Sequence, residues 1–214
     1  MFVKSERPDE IFSAVILAGG YGTRLGGDKA GTMVAGRPLL HWTAEAVTLA
    51  SDDIVVVRRA DQTLPPAGPG LQWREVVDLR EGAGPLAGLE AALSQTKHEL
   101  AVAVACDMPL VQAGLLRALA AACTGHDVVM PFLGGREQPL LAAYRRSCLP
   151  VIVAKLDEGE GRIRAILPHL RSRRWLPAEM VCFDPHLLSF TNVNYPRDVE
   201  RVAELLSAHR TARE

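Results

Sequence analysis

The sequence has no long hydrophobic run, almost no net charge and few aromatic residues, and each absence excludes a class of protein. No apolar run approaches the ~20 residues that a helix needs to cross a bilayer. The 24 basic and 25 acidic residues leave a formal net charge of −1, so no overall basic field attracts nucleic acid. Aromatic residues make up only 5% of the chain, and no basic stripe is interleaved with them. The sequence predicts neither a membrane protein nor a nucleic-acid-binding protein.

The cysteines are few and widely spaced. Cys106, Cys123, Cys148 and Cys182 form no Cys-x-x-Cys pair, and the histidines offer no metal-ligand spacing with them. We therefore expect reduced and mostly buried thiols rather than a zinc site. Residues 1–12 form a polar tail without the apolar core of a signal peptide, so we expect a cytoplasmic protein.

Short apolar runs alternate with stretches of helical spacing along the chain. This alternation predicts an α/β fold with a mainly parallel central sheet flanked by helices. Hydrophobic residues make up 48% of the 214, enough for a sizeable core, and no linker divides residues 13–210, so we expect one domain. We predict strands at 13–17, 54–57, 74–79, 100–109, 127–132 and 180–185, helices at 38–47, 84–97, 112–123 and 161–170, a strand and then a helix within 138–159, and a last helix that starts near Pro196.

The segment LAGGYGTRLGGDK, residues 17–29, places bare backbone beside positive charge directly after the first strand. It is not a Walker A loop, because no Ser or Thr follows an adjacent Gly-Lys pair, and its third glycine is out of register for a dinucleotide fingerprint. A glycine-rich surface turn is the alternative, but the cations favour a polyphosphate site, where glycine N–H groups approach an anion closely. The glycines are Gly19, Gly20 and Gly22, and the cations are Arg24 and Lys29.

Two aspartates follow predicted strands, at the edge where open parallel sheets bind their ligands. Asp107 ends the most apolar strand, where an unpaired carboxylate would be costly to bury. A carboxylate suits Mg²⁺, which also takes phosphate oxygens, whereas a cap for the helix near residue 112 is the alternative. For Asp78, which ends the third strand, the alternative to a site role is a bond to loop backbone near Gly82.

Together these motifs resemble the nucleotidyltransferases, in particular the molybdenum cofactor guanylyltransferases. The glycine loop, GPLAG (84–88), CDMP (106–109) and FTNVNYPRD (190–198) occur in the family's order, over nearly the whole chain. The resemblance implies a single-domain, Rossmann-like nucleotidyltransferase fold. Its nucleotide half would span about residues 13–125 and its acceptor half about residues 126–210.

The resemblance also implies a reaction. GMP would pass from GTP to the terminal phosphate of molybdopterin, pyrophosphate would leave, and Mg²⁺ would be the cofactor. Lys29, Asp107 and Arg24 would be catalytic, with Asp107 as the metal ligand. Molybdopterin-inserting proteins and molybdoenzyme chaperones are implied partners. The implied nucleotide contacts are Leu17, Ala18, Gly19, Gly20, Gly22, Lys29, Asp78, Pro85, Leu86, Gly88 and Asp107, and the implied acceptor contacts are Gln138, Arg162, Arg164, Asn192 and Asn194.

Other functions stay open within this fold. A cytidylyltransferase for the same cofactor, or a sugar-phosphate nucleotidyltransferase, would change only the substrates. The LAGG and PLAG stretches favour guanine over cytosine within the resemblance. A non-catalytic nucleotide sensor could lose Lys29 or Asp107, and both are present. The chain departs from the family pattern at Arg58-Arg59, where a small polar residue or asparagine is expected, and at YGT within the first loop.

Some of these residues also have a purely structural interpretation. A solvated helix face is an equal alternative for Arg162 and Arg164. The same interpretation is our expectation for the arginines of the RSRR segment, which are Arg171, Arg173 and Arg174. Capping of the last helix is the alternative role for Asn194.

Overall fold

A central sheet organises the chain in the computed structural model, which describes residues 11–20, 22–25, 27–78, 80 and 82–211. The principal strands run in the order β10-β7-β9-β6-β1-β4-β5, β8 pairs with β7, and β2 and β3 form a separate hairpin. The strands are β1 (Ser13–Leu17), β2 (Met33–Val34), β3 (Arg37–Pro38), β4 (Asp53–Arg59), β5 (Arg74–Asp78), β6 (Leu100–Ala105), β7 (Val128–Leu133), β8 (Arg136–Glu137), β9 (Leu141–Arg145) and β10 (Ser172–Trp175).

The order of the strands creates a crevice beside β1. The chain runs from β1 to β4 and β5, then returns to β6 on the other side of β1, with all four strands parallel. A reversal of this kind separates the loops at the carboxyl ends of the strands and leaves room for a ligand. Only β9 and the short β8 run antiparallel to their neighbours in this sheet, among the described strands.

Helices cover both faces of the sheet because the central strands are apolar on both sides. The β6 sequence LAVAVA is buried throughout, as expected for a strand between two helical layers. Helices α1 and α3 contribute to the core on one face, and α2 and α4 to the core on the other. The helices are α1 (Leu39–Thr48), α2 (Pro85–Leu93), α3 (Ala113–Ala122), α4 (Leu149–Asp157), α5 (Pro177–Met180) and α6 (Pro196–Thr211), and 3₁₀ turns span Thr23–Leu25, Arg146–Cys148, Ile163–His169 and Leu188–Phe190.

The last helix closes the molecule over the β2–β3 hairpin. Val202 and Leu206 of α6 pack with Val34, Leu39 and Trp42 in a third, smaller core. The C-terminal segment thereby returns to the start of the chain, and residues that precede α6 lie beside the glycine loop.

The structure confirms the α/β class and the mainly parallel sheet, and it corrects three predictions. The expected strand at 180–185 is wrong, because Pro177–Met180 is helical and a turn follows it. The RSRR segment belongs to edge strand β10 rather than to a helix, and Arg171 and Arg174 pair with Asp127 and Glu137. Phe12, which was assigned to the polar tail, is buried in the core; residues 1–10 lie outside the described part.

Two expectations from composition can be checked directly. Three cysteines are buried, Cys182 is exposed, and all four are free thiols. Burial raises the pKa of Cys148 to about 12, so that thiol stays protonated. Within the described ranges, no helix is long and apolar enough to cross a membrane.

Candidate active site

A cavity of about 500 Å³ opens at the carboxyl ends of β1, β4, β5 and β6. Its position follows from the strand order, since the loops that leave these four strands meet beside β1. The cavity combines apolar walls with three carboxylates and two cationic side chains. Its lining consists of Leu17, Gly19, Gly20, Lys29, Val57, Arg59, Ala60, Asp61, Asp78, Gly82, Gly84, Pro85, Gly88, Ala105, Cys106, Asp107 and Leu140.

The glycine loop forms one wall of this cavity. Gly19 and Gly20 line it directly. Gly22 has a φ of +57°, and a Cβ there would lie 2.0 Å from the carbonyl oxygen of Gly27, so only glycine fits the tight return of the chain. The guanidinium carbon of Arg24 lies 5.5 Å from the centre of the Tyr195 ring, outside the cavity lining. Residues 21 and 26 lie outside the described part of the loop.

Lys29, Asp107 and Asn194 meet at one end of the cavity although they are far apart in sequence. The Nζ atom of Lys29 contacts Oδ2 of Asp107 and donates to Oδ1 of Asn194 at 2.7 Å. The N–H of Val193 donates to the carbonyl oxygen of Asp107 at 3.0 Å, which ties the C-terminal segment to the end of β6. The carboxylate of Asp107 thus lines the cavity beside Lys29. The alternative that it caps the helix near residue 112 is wrong, because α3 begins without a side-chain cap.

The second oxygen of Asp107 is unusual. Its Oδ1 atom is buried without a hydrogen-bond partner among the described residues. A buried carboxylate oxygen without a donor is costly, whereas a hard cation would satisfy it. The described part of the chain holds no group of three or more His, Cys, Asp or Glu side chains placed to bind a metal. A cation here would therefore need further oxygens from a substrate or from water.

Asn194 and its neighbours start the last helix without using the Asn194 side chain as a cap. The Oδ2 atom of Asp198 accepts the backbone N–H groups of Asn194 and Tyr195, each at 2.9 Å. These bonds lower the pKa of Asp198, the bond from Asn194 most of all. The Asn194 amide is thereby left to contact Lys29.

Asp78 lies at the opposite end of the cavity, after β5. Its Oδ1 atom accepts the backbone N–H of Arg80 at 3.0 Å, so the expected bond to loop backbone near Gly82 is present. Burial is the main cause that raises the pKa of Asp78, and the nearby Glu90 adds to it. A carboxylate in an apolar wall can accept donors from a ligand, because water competes poorly there.

The start of α2 completes this end of the cavity. Pro85 and Gly88 line it, and a Cβ on Gly88 would approach a side-chain methyl of Leu17 to 3.4 Å. Leu86, which the resemblance placed at the nucleotide, is fully buried in the core instead. Only its backbone is near the loops, since its N–H donates to the carbonyl oxygen of Gly161 at 3.0 Å.

The residues predicted for the acceptor are held by different partners, although Arg164 lies beside the backbone of the residue that precedes Gln138. Arg162 pairs with Glu160, and Arg164 donates to the backbone of Glu137 at 2.9 Å. The structure does not bring these arginines to the Lys29–Asp107 pair. Gln138 uses its backbone N–H in a bond to Pro131, and its side chain lies 3.5 Å from the carbonyl oxygen of Leu133. The Oδ1 atom of Asn192 is buried and unpartnered among the described residues.

Sequence reasoning missed the residues that follow β4. Arg59 donates to the carbonyl oxygen of Gly19 at 2.9 Å and to Oδ1 of Asp61 at 3.0 Å, and both side chains line the cavity. The signal was available, because β4 is a neighbour of β1 in a parallel sheet, so its carboxyl end had to lie beside the glycine loop. In the sequence, the Arg58-Arg59 pair stands out only as a departure from the family pattern.

Comparison with known proteins gives a consistent assignment. A family model described as "MobA-like NTP transferase domain" matches residues 14–174. A molybdenum cofactor guanylyltransferase from Desulfosudis oleivorans is 34% identical over 202 residues, which cover 92% of this chain and 97% of that protein. A probable molybdenum cofactor guanylyltransferase from Natronomonas pharaonis is 35% identical over 200 residues, which cover 91% and 98%.

Solved structures agree. Molybdopterin-guanine dinucleotide biosynthesis protein A from Archaeoglobus fulgidus superposes with a TM-score of 0.78 at 27% identity, covering 92% of this chain and 100% of that one. A 2-C-methyl-D-erythritol 4-phosphate cytidylyltransferase from Thermus thermophilus shares the fold, with a TM-score of 0.69 at 18% identity and coverage of 92% and 99%. The chain therefore belongs to the MobA-like family of NTP transferases, among the molybdenum cofactor guanylyltransferases.

Proposed function

We propose that this chain transfers GMP from GTP to the terminal phosphate of molybdopterin and releases pyrophosphate. The observation that carries the proposal is the Lys29–Asp107 pair, which joins residues 78 positions apart at the mouth of a glycine-lined cavity. A cation and a carboxylate with one unpartnered oxygen are what a triphosphate and its metal ion require. The names of the relatives supply the guanine and the molybdopterin.

The nucleotide would lie along the cavity from Asp78 to Lys29. The base would rest near Leu17, Pro85 and Gly88, where the walls are apolar and backbone groups can read its edge. Asp78 would accept a hydrogen bond from the nucleoside. The resemblance also assigns Ala18 and Leu86 to the nucleotide, and their buried side chains limit that role to backbone groups.

The triphosphate would face the glycine loop. Backbone N–H groups at Gly19 and Gly20 are donors that need no reorganisation when charge develops on the phosphates. Gly22 would act indirectly by closing the loop. Arg24 would reach the leaving pyrophosphate only if its side chain left Tyr195, since a guanidinium–ring contact holds it at the surface.

Nucleotidyltransferases generally use a divalent metal ion, and we propose Mg²⁺ for this chain. The unpartnered Oδ1 of Asp107 fits a hard cation, and one protein carboxylate is enough because Mg²⁺ keeps waters and takes phosphate oxygens. When bound, the ion would neutralise phosphate charge and align the reacting groups.

Lys29 would act on the leaving group. Its ammonium group is held by Asp107 and Asn194, so the protein itself sets its position. Negative charge moves toward pyrophosphate as the bond to the α-phosphorus breaks, and a fixed cation stabilises that charge. The acceptor is itself an anionic phosphate, so the reaction needs no strong general base.

The acceptor would bind on the side of β8, β9 and the C-terminal segment. Asn192, Asn194 and Gln138 are the proposed polar contacts, and Arg162 and Arg164 would meet the phosphate only after leaving their acidic partners. Molybdopterin-inserting proteins and molybdoenzyme chaperones as partners, and a cytoplasmic location, remain predictions.

Pyrophosphate release tests the proposal. Purified protein with Mg²⁺ should release pyrophosphate only when GTP and molybdopterin are both present. Omission of either substrate should leave no more than background. A protein that binds GTP but never releases pyrophosphate with both substrates present would be a nucleotide sensor, and the proposal would be wrong.

A further inference from the structure

Gln62 lies outside the cavity lining yet links three segments that form the cavity. Its side chain follows β4 and is only 5% exposed. Its amide nitrogen donates to the carbonyl oxygen of Ala18 at 3.0 Å and to Oδ1 of Asp28 at 2.7 Å. Its amide oxygen accepts the backbone N–H of Arg59 at 3.2 Å. Such a buried amide is costly unless its bonds are made, so its position is well determined.

The bond to Ala18 orients the first amide of the glycine loop. The carbonyl of Ala18 and the N–H of Gly19 belong to one planar trans peptide, so they point in opposite directions. Because Gln62 holds the carbonyl from outside the lining, the N–H of Gly19 points away from Gln62. Gly19 itself lines the cavity, so that N–H is directed to the side on which a ligand lies.

Arg59 holds the next carbonyl of the glycine loop in the same way. It donates to the carbonyl oxygen of Gly19 at 2.9 Å, which by the same peptide geometry fixes the direction of the Gly20 N–H. Gln62 in turn holds the backbone of Arg59 through its amide oxygen. Two successive loop carbonyls are thus held by side chains from one segment after β4.

The bond to Asp28 fixes the turn that carries Lys29. The same Asp28 Oδ1 also accepts the N–H of Ala30 at 3.2 Å, and the carbonyl oxygen of Lys29 accepts the N–H of Thr32 at 3.2 Å. Gln62 therefore sets the backbone on either side of Lys29, which has a long and flexible side chain. A rigid backbone anchor reduces the conformations from which that side chain must reach Asp107.

We propose that Gln62 is a positioning residue, which aligns the amides of the glycine loop and the backbone of Lys29 through its two amide hydrogens. This inference rests on the proposed function for its consequence in catalysis, but not for its structural content. It assigns a role to a buried side chain that contacts neither the cavity nor, on this account, the substrates.

Two variants separate the amide hydrogens from the bulk of the side chain. Gln62→Glu keeps shape and acceptor, removes both donors, and places a second carboxylate beside Asp28. Gln62→Met keeps the length and removes all polar atoms, so it leaves a folded alternative if the first variant is unstable. Ser13→Ala is the control, because Ser13 is buried at the other end of β1 and bonds to Asp53 at 2.6 Å and to the N–H of His98 at 3.1 Å.

Hydrogen exchange of the free protein reads the positioning directly. Both Gln62 variants should speed exchange by about tenfold or more at the hydrogen-bonded amides of Ala18, Ala30 and Thr32, while Ser13→Ala should leave these amides unchanged. In the pyrophosphate assay, kcat/KM for GTP should fall about 10- to 100-fold in the Gln62 variants, at a temperature where all are folded.

Failure of the inference about Gln62 can be distinguished from failure of the proposed function. Unchanged exchange at Ala18, Ala30 and Thr32 in both Gln62 variants would overturn the inference, and so would an equal loss of kcat/KM in Ser13→Ala. If the wild-type protein released no pyrophosphate, the proposed function would fail, and the exchange result would still decide on Gln62.

Discussion

The Lys29–Asp107 pair makes stability and activity respond differently to the loss of either partner. The two side chains are only 15% and 13% exposed, so their attraction is strong but their desolvation offsets much of it. Lys29→Met leaves a mostly buried carboxylate without its cation. The cost is roughly 3–5 kcal/mol for a fully buried pair, and we expect about 2 kcal/mol for this partly exposed one. The melting temperature should then fall by about 4–8 °C for a domain of this size.

Asp107→Asn should behave differently. The amide keeps an acceptor near Lys29, whose ammonium still bonds to Asn194, and the cost of burying a charge disappears. We expect a change in unfolding free energy within about 1 kcal/mol, of either sign. The double variant, Lys29→Met with Asp107→Asn, should recover most of the stability that Lys29→Met loses. Turnover should fall at least about 100-fold in both single variants, because each group serves the transition state.

Thermal melts and pyrophosphate release on the same preparations check this cycle. Lys155→Met is the matched control, since Lys155 forms a 2.7 Å pair with a Glu158 side chain that is 60% exposed. It should change stability by no more than about 0.5 kcal/mol and leave turnover unchanged. A double variant as unstable as Lys29→Met, or a Lys29→Met protein as stable as wild type, would refute the reasoning about the pair.

Three further predictions concern single sites. The pKa of Asp78 is raised, so its protonated form favours folding, and this contribution to stability is lost as pH rises through that pKa. Asp78→Asn should therefore melt at a higher temperature than wild type at neutral pH but not in acid. The same variant should bind GTP more weakly in a titration. Arg171 lowers the pKa of Asp127 to about 2, so Arg171→Ala should be slightly less stable than wild type at neutral pH, and the difference should vanish as pH falls from about 4 to about 2 in an acid-unfolding series. Gly84 has a φ of +79°, and a Cβ there would lie 2.9 Å from a carbonyl oxygen, so Gly84→Ala should lower the free energy of denaturant unfolding by about 1–3 kcal/mol. Gly125 has the same φ but open space around it, so Gly125→Ala should lower that free energy by less. Equal losses in the two variants would exclude the carbonyl contact as the cause.

Local pattern was enough to predict most of the fold. The fully apolar β6 and the run before the glycine loop are short for a helix and end at turn signals, so they favour strands buried on both faces. The edge of the sheet was harder to predict. Strand β10 reads SRRW and pairs with β7, and the side chain of Arg174 pairs with Glu137 of β8, so the partners of this strand lie far away in sequence. Charge alone could not distinguish this strand from a solvated helix.

In the candidate site too, some residues could be predicted from sequence and others could not. Asp107 and Asp78 could be selected because each ends an apolar strand, and strand ends meet in a parallel sheet. Lys29 could be selected because it is a cation in the glycine loop that follows the first strand. The contacts of Gln62 could not be predicted, since they depend on which loop passes behind the glycines. The burial of the Leu86 side chain could not be predicted, because a motif that borders a ligand can also pack a helix on the core, and sequence does not show which face each residue takes.

Product identity tests the central claim most directly. Wild-type protein supplied with molybdopterin, Mg²⁺ and an equimolar mixture of GTP and CTP should yield a guanine dinucleotide by mass spectrometry, with one pyrophosphate released per product. A cytosine dinucleotide as the main product would contradict the proposed base preference. Absence of any dinucleotide under conditions in which GTP binds would contradict the nucleotidyltransfer itself.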